Sequence, residues 1–228
     1  MQAAIPQTSL PGSARRKRKV PAWALVVVAS VGLTLAAAFT AYAMRTRVAD
    51  LGSEQQMNSS GLYAEWTKGA VIVLIRHAER CDRSENTCLG DPAGITVAGS
   101  EAAVEVGSAM QRLGLDNADV LASPEVRTQQ TAHFLFGKAV AAQQWIKTCD
   151  HAFPGNLYDH KTPGTNLVLV THSGCIDHLE RQLNVPGGER SSQYASALFV
   201  SVGRNGKARI LGQMNADQWH NVVSRASH

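Results

Sequence analysis

Two short apolar runs, each followed by a histidine, dominate the hydrophobic pattern of the chain. The run Val71–Ile75 has five consecutive apolar residues, four of them β-branched, and leads into Arg76-His77. The run Leu167–Val170 leads into Thr171-His172. Continuous apolar runs of this length predict strands buried on both faces of a parallel sheet. Because such sheets bind ligands beyond the carboxyl ends of their strands, we expect both histidines at one edge. A strand followed by an ordinary solvated loop is the alternative.

Other patterns alternate between helix and strand across the rest of the chain. Apolar residues at helical spacing begin after Thr96 and stop at Gly114. Ser123-Pro124 follows a short predicted strand and predicts an N-cap and an N1 proline, which places Arg127 in the first turn of a helix. A turn at Arg204-Asn205-Gly206 predicts a closing hairpin.

The first 47 residues are predicted to anchor or target the protein. The basic cluster Arg15–Lys19 precedes an uncharged, mainly apolar run over 20–44, which as a helix can cross a ~30 Å hydrocarbon core. Because basic residues favour the cytoplasmic side, the chain after Arg47 is predicted to be exported. A cleavable signal is the alternative, since Ala41-Tyr42-Ala43 fits a small-x-small cleavage site. The predicted divisions are a cytoplasmic tail over 1–19, an anchor or uncleaved signal over 20–44, a linker over 45–66 and a folded domain over 67–228.

Charge and cysteine usage fit an exported domain. The seven basic residues before Val48 lie in a stretch with no acidic residue, which leaves 15 basic against 18 acidic residues in the remainder. A negative balance of this kind does not suit a nucleic-acid-binding surface. Cys81, Cys88, Cys149 and Cys175 could form two disulfides outside the cytoplasm in any of three pairings, or remain free buried thiols. A bridge between the first two would stiffen the loop that follows the first histidine.

Three motifs accompany the predicted strand ends. They are Arg76-His77-Ala78-Glu79, the segment Ser123-Pro124-x-x-Arg127-Thr128-x-x-Thr131-Ala132, and Thr171-His172-Ser173-Gly174. In this order they resemble the histidine phosphatase superfamily, in its phosphoglycerate mutase-like branch, although Ala78 stands where that family usually has glycine. The longer string from Arg76 to Ser84, with Cys88, resembles exported enzymes that remove phosphate from lipopolysaccharide core heptose.

The resemblance implies phosphomonoester hydrolysis through a phosphohistidine, with no metal or other cofactor. A phosphate monoester is dianionic, so its transfer needs fixed positive donors around the phosphoryl oxygens. Arg76, Arg127 and His172 would supply these donors. His77 would attack phosphorus through an unprotonated ring nitrogen. Arg83 is a further candidate for phosphate contact, with an ordinary loop arginine as the alternative.

The leaving alkoxide also needs a proton, and therefore a general acid. The family usually draws this acid from a window that corresponds to Trp145–His151, and Asp150 is the only carboxylate there. We therefore predict Asp150 as the acid, with His151 and Glu101 as rivals and an ordinary loop aspartate as the alternative.

The expected fold class is α/β: a three-layer α/β/α sandwich with a mostly parallel, phosphoglycerate mutase-like sheet, preceded by an N-terminal transmembrane helix. The resemblance implies a histidine phosphatase domain on the periplasmic face of the inner membrane, which removes phosphate from the lipopolysaccharide core or another phosphorylated glycan. The alternatives are a soluble periplasmic form after signal cleavage, a general periplasmic acid phosphatase and a non-catalytic phosphate-binding envelope protein.

Overall fold

The chain forms two units, one that ends at Met44 and one that begins at Arg45. The computed structural model describes residues 21–220, and the predicted basic tail over 1–19 lies outside the described residues. The described part of the first unit contains one helix, α1 (Ala22–Ala43), of which residues 23–43 are long and apolar enough to cross a membrane. The expected N-terminal apolar helix is thus confirmed, although an export signal near the N-terminus can also form an apolar helix of sufficient length.

The second unit alternates helices and strands in the order expected for an α/β domain. Its helices are α2 (Glu54–Ser60), α3 (Leu62–Thr67), α4 (Val97–Leu113), α5 (Val126–Phe136), α6 (Phe153–Asp159) and α7 (Ser173–Gln182). Its strands are β1 (Val71–Arg76), β2 (Ala118–Ala122), β3 (Ala141–Ala142), β4 (Asn166–Thr171), β5 (Ala197–Val202) and β6 (Ala208–Met214).

The six strands form one sheet in the order β3-β2-β4-β1-β5-β6. Strands β3, β2, β4 and β1 are parallel, whereas β5 and β6 form the antiparallel hairpin predicted from the Arg204-Asn205-Gly206 turn. The two strands that precede the histidines are neighbours at the centre of the sheet, and Arg76 lies opposite Thr171 in their register. His77 follows Arg76 and His172 follows Thr171, so both histidines lie at the same edge of the sheet, one residue beyond this paired position.

Side chains of β1 alternate between two hydrophobic cores, one on each face of the sheet. Val71, Val73 and Ile75 pack with α4 and α5, whereas Ile72 and Leu74 pack with α6 and α7. All five are fully buried, which explains the uninterrupted apolar run. The predicted three-layer, mostly parallel sandwich is confirmed.

Residues 45–66, predicted to be a linker, instead belong to the folded unit. They contain α2 and most of α3, and Leu51, Met57 and Leu62 are at most 1% exposed in the core beside β1. The backbone N–H of Leu51 also donates to the carbonyl of Gln213. The Gly-Ser and Asn-Ser-Ser sequences in this segment are typical of a linker. Its packing in the core could not be predicted, because its apolar residues are widely spaced and contact residues that are distant in the sequence.

The start of α5 also differs from the prediction. Glu125, and not Ser123, is the residue at the N-cap, and α5 begins at Val126. The backbone N–H of Ser123 donates to the carbonyl of Val170, so this residue still extends the line of β2, and Pro124 and Glu125 separate it from the first residue of α5. Arg127 nevertheless lies in the first turn of α5, as expected.

Candidate active site

His77 is buried at the carboxyl end of β1, and one of its ring nitrogens is fixed by a hydrogen bond. Its backbone N–H donates to the carbonyl of Thr171, and its Nδ1 lies 2.8 Å from the carbonyl oxygen of Ala78. Because a carbonyl can only accept, the proton must be on Nδ1, which leaves Nε2 with a free lone pair. The side chain has the tautomer that a nucleophile needs.

The surroundings of His77 keep this ring neutral. Burial lowers the pKa of His77 to about 3, and the nearby His172, Arg127 and Arg76 add to this effect. The hydrogen bond to Ala78 opposes the shift but does not reverse it. The imidazole is therefore unprotonated near neutral pH, since burial and neighbouring positive charge both disfavour the imidazolium.

His172 lies at the end of β4 and completes a second hydrogen-bonded group. Its ring centroid is 5.5 Å from that of His77. Its Nδ1 accepts from Nη2 of Arg127 at 3.3 Å, because arginine can only donate, and its Nε2 is 3.0 Å from the hydroxyl of Ser123. Burial and then the charge of Arg127 lower the pKa of His172 to about 4. Ser123 thus orients a site histidine.

The two arginines of the motifs each keep a buried donor free. Nη1 of Arg76 donates to the carbonyl of Ser192 at 2.6 Å, and Nη1 of Arg127 contacts Glu125 at 3.2 Å. The Nε of each arginine is buried and has no hydrogen-bond partner among the residues that the structure describes. Buried donors are normally satisfied, so these two N–H groups are suited to an anionic ligand.

Glu125 balances part of the positive charge on one side of the site. One carboxylate oxygen accepts from Lys147 at 2.7 Å, and the other lies 3.2 Å from Arg127. The hydrogen bond from Lys147 and the charge of Arg127 hold the pKa of Glu125 below its usual value despite partial burial. Glu125 is therefore ionised and holds one terminal nitrogen of Arg127, while His172 contacts the other.

The loop after the first motif is held by Glu79 and a disulfide. The carboxylate of Glu79 accepts hydrogen bonds from Ser84, Asn86 and Thr96, at 2.7 to 3.0 Å. The Cys81–Cys88 disulfide also restrains this loop. Arg83 is exposed on this loop. Burial is the main cause that lowers the pKa of Arg76, and the charges of Arg80 and Arg83 add to it, so the loop carries additional positive charge toward the site.

The segment that contains Asp150 is attached to the helix after His172. A disulfide joins Cys149 to Cys175 in the first turn of α7. Asp150 itself is half-buried and accepts from the backbone N–H of Ala152 at 2.9 Å, and none of its described contacts reaches the two histidines or two arginines. The rival His151 is exposed. The assignment of the acid thus stays a prediction.

Of the predicted site residues, the structure brings four together and adds four that the sequence reasoning missed. Arg76, His77, Arg127 and His172 form one connected group. The additional residues are Ser123, Glu125, Lys147 and Tyr194, whose ring centroid is 5.7 Å from that of His77.

Ser123 and Glu125 lie inside the second motif, so their positions in the sequence could have indicated a role in the site. Tyr194 and Lys147 have no such signal, because only the tertiary fold brings their loops to the site. The rival Glu101 is exposed on α4. Within 21–220, no group of three or more histidine, cysteine or carboxylate side chains is arranged to hold a metal ion.

Comparison with proteins of known name shows close relatives. The chain is 35% identical over 161 residues to the lipopolysaccharide core heptose(II)-phosphate phosphatase of Salmonella typhi, which covers 69% of this chain and 78% of the relative. It is 34% identical, with the same coverage, to the protein of that name in Salmonella typhimurium strain LT2. No protein-family model matches the chain.

Solved structures share the fold at low sequence identity. The phosphoglycerate mutase of Bacillus anthracis strain Sterne aligns with a TM-score of 0.51 and 12% identity, over 68% of this chain and 98% of its own. The protein histidine phosphatase SixA, complexed with tungstate, aligns with a TM-score of 0.50 and 16% identity, over 64% of this chain and 97% of its own. These similarities confirm the phosphoglycerate mutase-like fold.

The buried, neutral state of His77 predicts how stability depends on pH. Its pKa falls from 6.5 to about 3 on folding, so the unfolded chain binds the proton first as the pH decreases. This contribution to the free energy of unfolding is complete above about pH 6.5 and is lost as the pH falls toward 3, by up to about 1.4 kcal/mol per pH unit. We expect His77→Asn to remove this part of the pH dependence of the free energy of unfolding, measured by denaturant titrations at a series of pH values between about 4 and 7.

The matched control is His133→Asn, which changes an exposed histidine of α5 and should keep the wild-type slope. An unchanged dependence of the free energy of unfolding on pH in His77→Asn would contradict the neutral, buried state of His77.

Proposed function

Because the chain belongs to the family of the lipopolysaccharide core heptose(II)-phosphate phosphatases, and is therefore a phosphatase, we propose that it hydrolyses phosphomonoesters through a phosphohistidine on His77. The observation that carries this mechanism is the neutral His77, with Nε2 free, beside two arginines that each keep an unpaired buried N–H. A simple anion-binding site would need the arginines, but it would not need a histidine fixed as a nucleophile.

The first step transfers the phosphoryl group to the enzyme. Arg76 and Arg127 bind the dianionic phosphoryl group, and Arg127 exchanges its contact with Nδ1 of His172 for the phosphoryl oxygens. The bound dianion raises the pKa of His172, so that Nδ1 takes up a proton from solvent and donates to the phosphoryl group. Nε2 of His77 then attacks phosphorus, so that a P–N bond forms while the ester P–O bond breaks. The departing alkoxide takes a proton from the general acid and leaves as an alcohol.

The second step releases phosphate and restores the enzyme. The same acid group, now a base, removes a proton from water as the water oxygen attacks the phosphohistidine. A P–O bond forms, the P–N bond breaks, and Nε2 regains its lone pair. We retain Asp150 as the proposed acid because its segment is tied by the Cys149–Cys175 disulfide to the helix that begins after His172.

The proposed substrate is phosphate on heptose of the lipopolysaccharide core, and the proposed location is the periplasmic side of the inner membrane. The names of the relatives support the substrate. The apolar helix and the two disulfides support an oxidising compartment outside the cytoplasm. The charge asymmetry around the helix supports the orientation, with the N-terminus inside and the domain exported.

Covalent trapping tests the proposed nucleophile. Full-length protein incubated with a ³²P-labelled phosphomonoester and quenched in alkaline denaturant should retain label, whereas His77→Ala should retain none. Phosphate release by His77→Ala should fall by more than about a thousandfold, as expected for loss of a nucleophile. His133→Ala is the matched control and should label like the wild type. Label that persists in His77→Ala would contradict the mechanism.

The substrate is tested by comparing esters of different size. Phosphate release from core oligosaccharide that carries heptose phosphate should exceed release from p-nitrophenyl phosphate and glycerol phosphate by at least about 100-fold in kcat/KM, if the site recognises the sugar. Equal values would indicate a general acid phosphatase. Phosphate binding without release from any ester would indicate a non-catalytic binding protein.

The general acid is tested by the leaving group. Asp150→Asn should slow release from a sugar phosphate by about 10²–10⁴-fold, because an alkoxide needs a proton. It should slow release from p-nitrophenyl phosphate far less, because that phenolate is a good leaving group. Glu125→Gln is the comparison and should affect both esters alike, since it loosens Arg127. If Glu125→Gln slows release from the sugar phosphate far more than from p-nitrophenyl phosphate, and Asp150→Asn affects both esters alike, then Glu125, and not Asp150, is the acid.

A further inference from the structure

The loop that precedes β5 is fastened to the first motif at three points. The backbone N–H of Arg76 donates to the carbonyl of Ser196, and the N–H of Ala195 donates to the carbonyl of His77 at 3.3 Å. The third point is the hydrogen bond from the Arg76 side chain to Ser192. Tyr194 lies between these contacts, so its position relative to Arg76 and His77 is fixed through the backbone.

The backbone of this loop is held in an unfavourable conformation beside the nucleophile. Ala195 has φ of 54°, in the left-handed region, and is 1% exposed. A left-handed residue other than glycine costs energy and persists only where the surrounding structure enforces it. Here that conformation directs the N–H of Ala195 to the carbonyl of His77 and places Tyr194 against the site.

The ring of Tyr194 covers one face of the Arg76 guanidinium. The central carbon of the guanidinium lies 4.0 Å from the ring centroid, which is a cation–π contact. Nη1 donates to the carbonyl of Ser192, while the buried Nε has no hydrogen-bond partner within the described part of the chain. A hydrogen bond to one terminal nitrogen and an aromatic ring against the central carbon together restrict the rotation of the guanidinium, and with it the direction of its remaining N–H groups.

We propose that Tyr194 is a positioning residue of the phosphoryl-transfer site: it fixes the plane of the Arg76 guanidinium so that the free N–H groups face the phosphoryl oxygens. This inference rests on the proposed function. We assign this contribution to the aromatic ring, which lies against the guanidinium. The Tyr194 hydroxyl also interacts with Arg76 and opposes the lowering of its pKa by burial, so Tyr194→Phe tests the hydroxyl separately. Arg127 has a different support, since Glu125 and His172 hold it from two sides.

The experiment separates the ring from the hydroxyl and compares their effects on oxyanion binding. In the full-length protein, Tyr194→Phe should keep KM and the inhibition constant for orthovanadate within about threefold of wild type. Tyr194→Leu should raise both by about tenfold or more, because the guanidinium becomes free to rotate. Tyr194→Gln provides a second variant without a ring, and thermal unfolding identifies any variant that is not folded.

A double-mutant cycle tests whether Tyr194 acts through Arg76. Lysine lacks the planar fork, so in an Arg76→Lys background the change Tyr194→Leu should alter orthovanadate binding less than about twofold. Additive losses in the two folded variants would overturn the inference, as would unchanged orthovanadate binding in both ring-free variants. If the wild type releases no phosphate and traps no label at His77, the proposed function fails. If it does both, only the role of Tyr194 is at issue.

Discussion

The hydrogen bond between Nδ1 of His77 and the carbonyl of Ala78 is the contact on which the rest of the site depends. The bond is 2.8 Å long and buried, and it determines which ring nitrogen keeps a free lone pair. The donor and acceptor belong to consecutive residues, so the geometry follows from the backbone at the end of β1. That backbone is in turn held by parallel pairing with β4, by the carbonyl of Thr171 and by the loop before β5. The tautomer of one side chain is therefore fixed by the central strands of the fold.

The positive charges of the site act on this ring in two opposed ways. Before substrate binds, Arg76 and Arg127 help burial to keep His77 neutral, which makes the lone pair available. When a dianion binds, the same two charges are compensated by it. Arginines held without a full set of partners are costly in a protein interior, and a site that binds a dianion can retain them because the ligand supplies the missing acceptors. Glu125 limits this cost by pairing with Arg127 and Lys147 at the edge of the site.

The parts of this site that could be predicted are those set by local sequence. The strands at Val71–Ile75 and Leu167–Val170 followed from apolar runs, and the register of a parallel pair then placed His77 and His172 at one edge. Tyr194 could not be found in this way, because nothing near it in the sequence marks its loop as part of the site. The segment over 45–66 was misassigned for the same reason: its apolar residues are few, and only the folded sheet shows what they pack against. Local periodicity reports which face of an element is buried, but it does not report which distant loop covers it.

The two disulfides have a common relation to the strand ends. Cys81–Cys88 closes the loop that leaves β1 after His77, and Cys149–Cys175 attaches the segment of Asp150 to the helix that follows His172. Each disulfide restricts a loop beyond the end of strand pairing, whereas the histidines themselves are held by the paired strands. A reducing compartment would leave the sheet and its histidines in place and would loosen the loops that carry Arg83 and Asp150. If the domain has the proposed location outside the cytoplasm, the cysteines connect the arrangement of the loops beside the two histidines, and not only their stability, to an oxidising compartment.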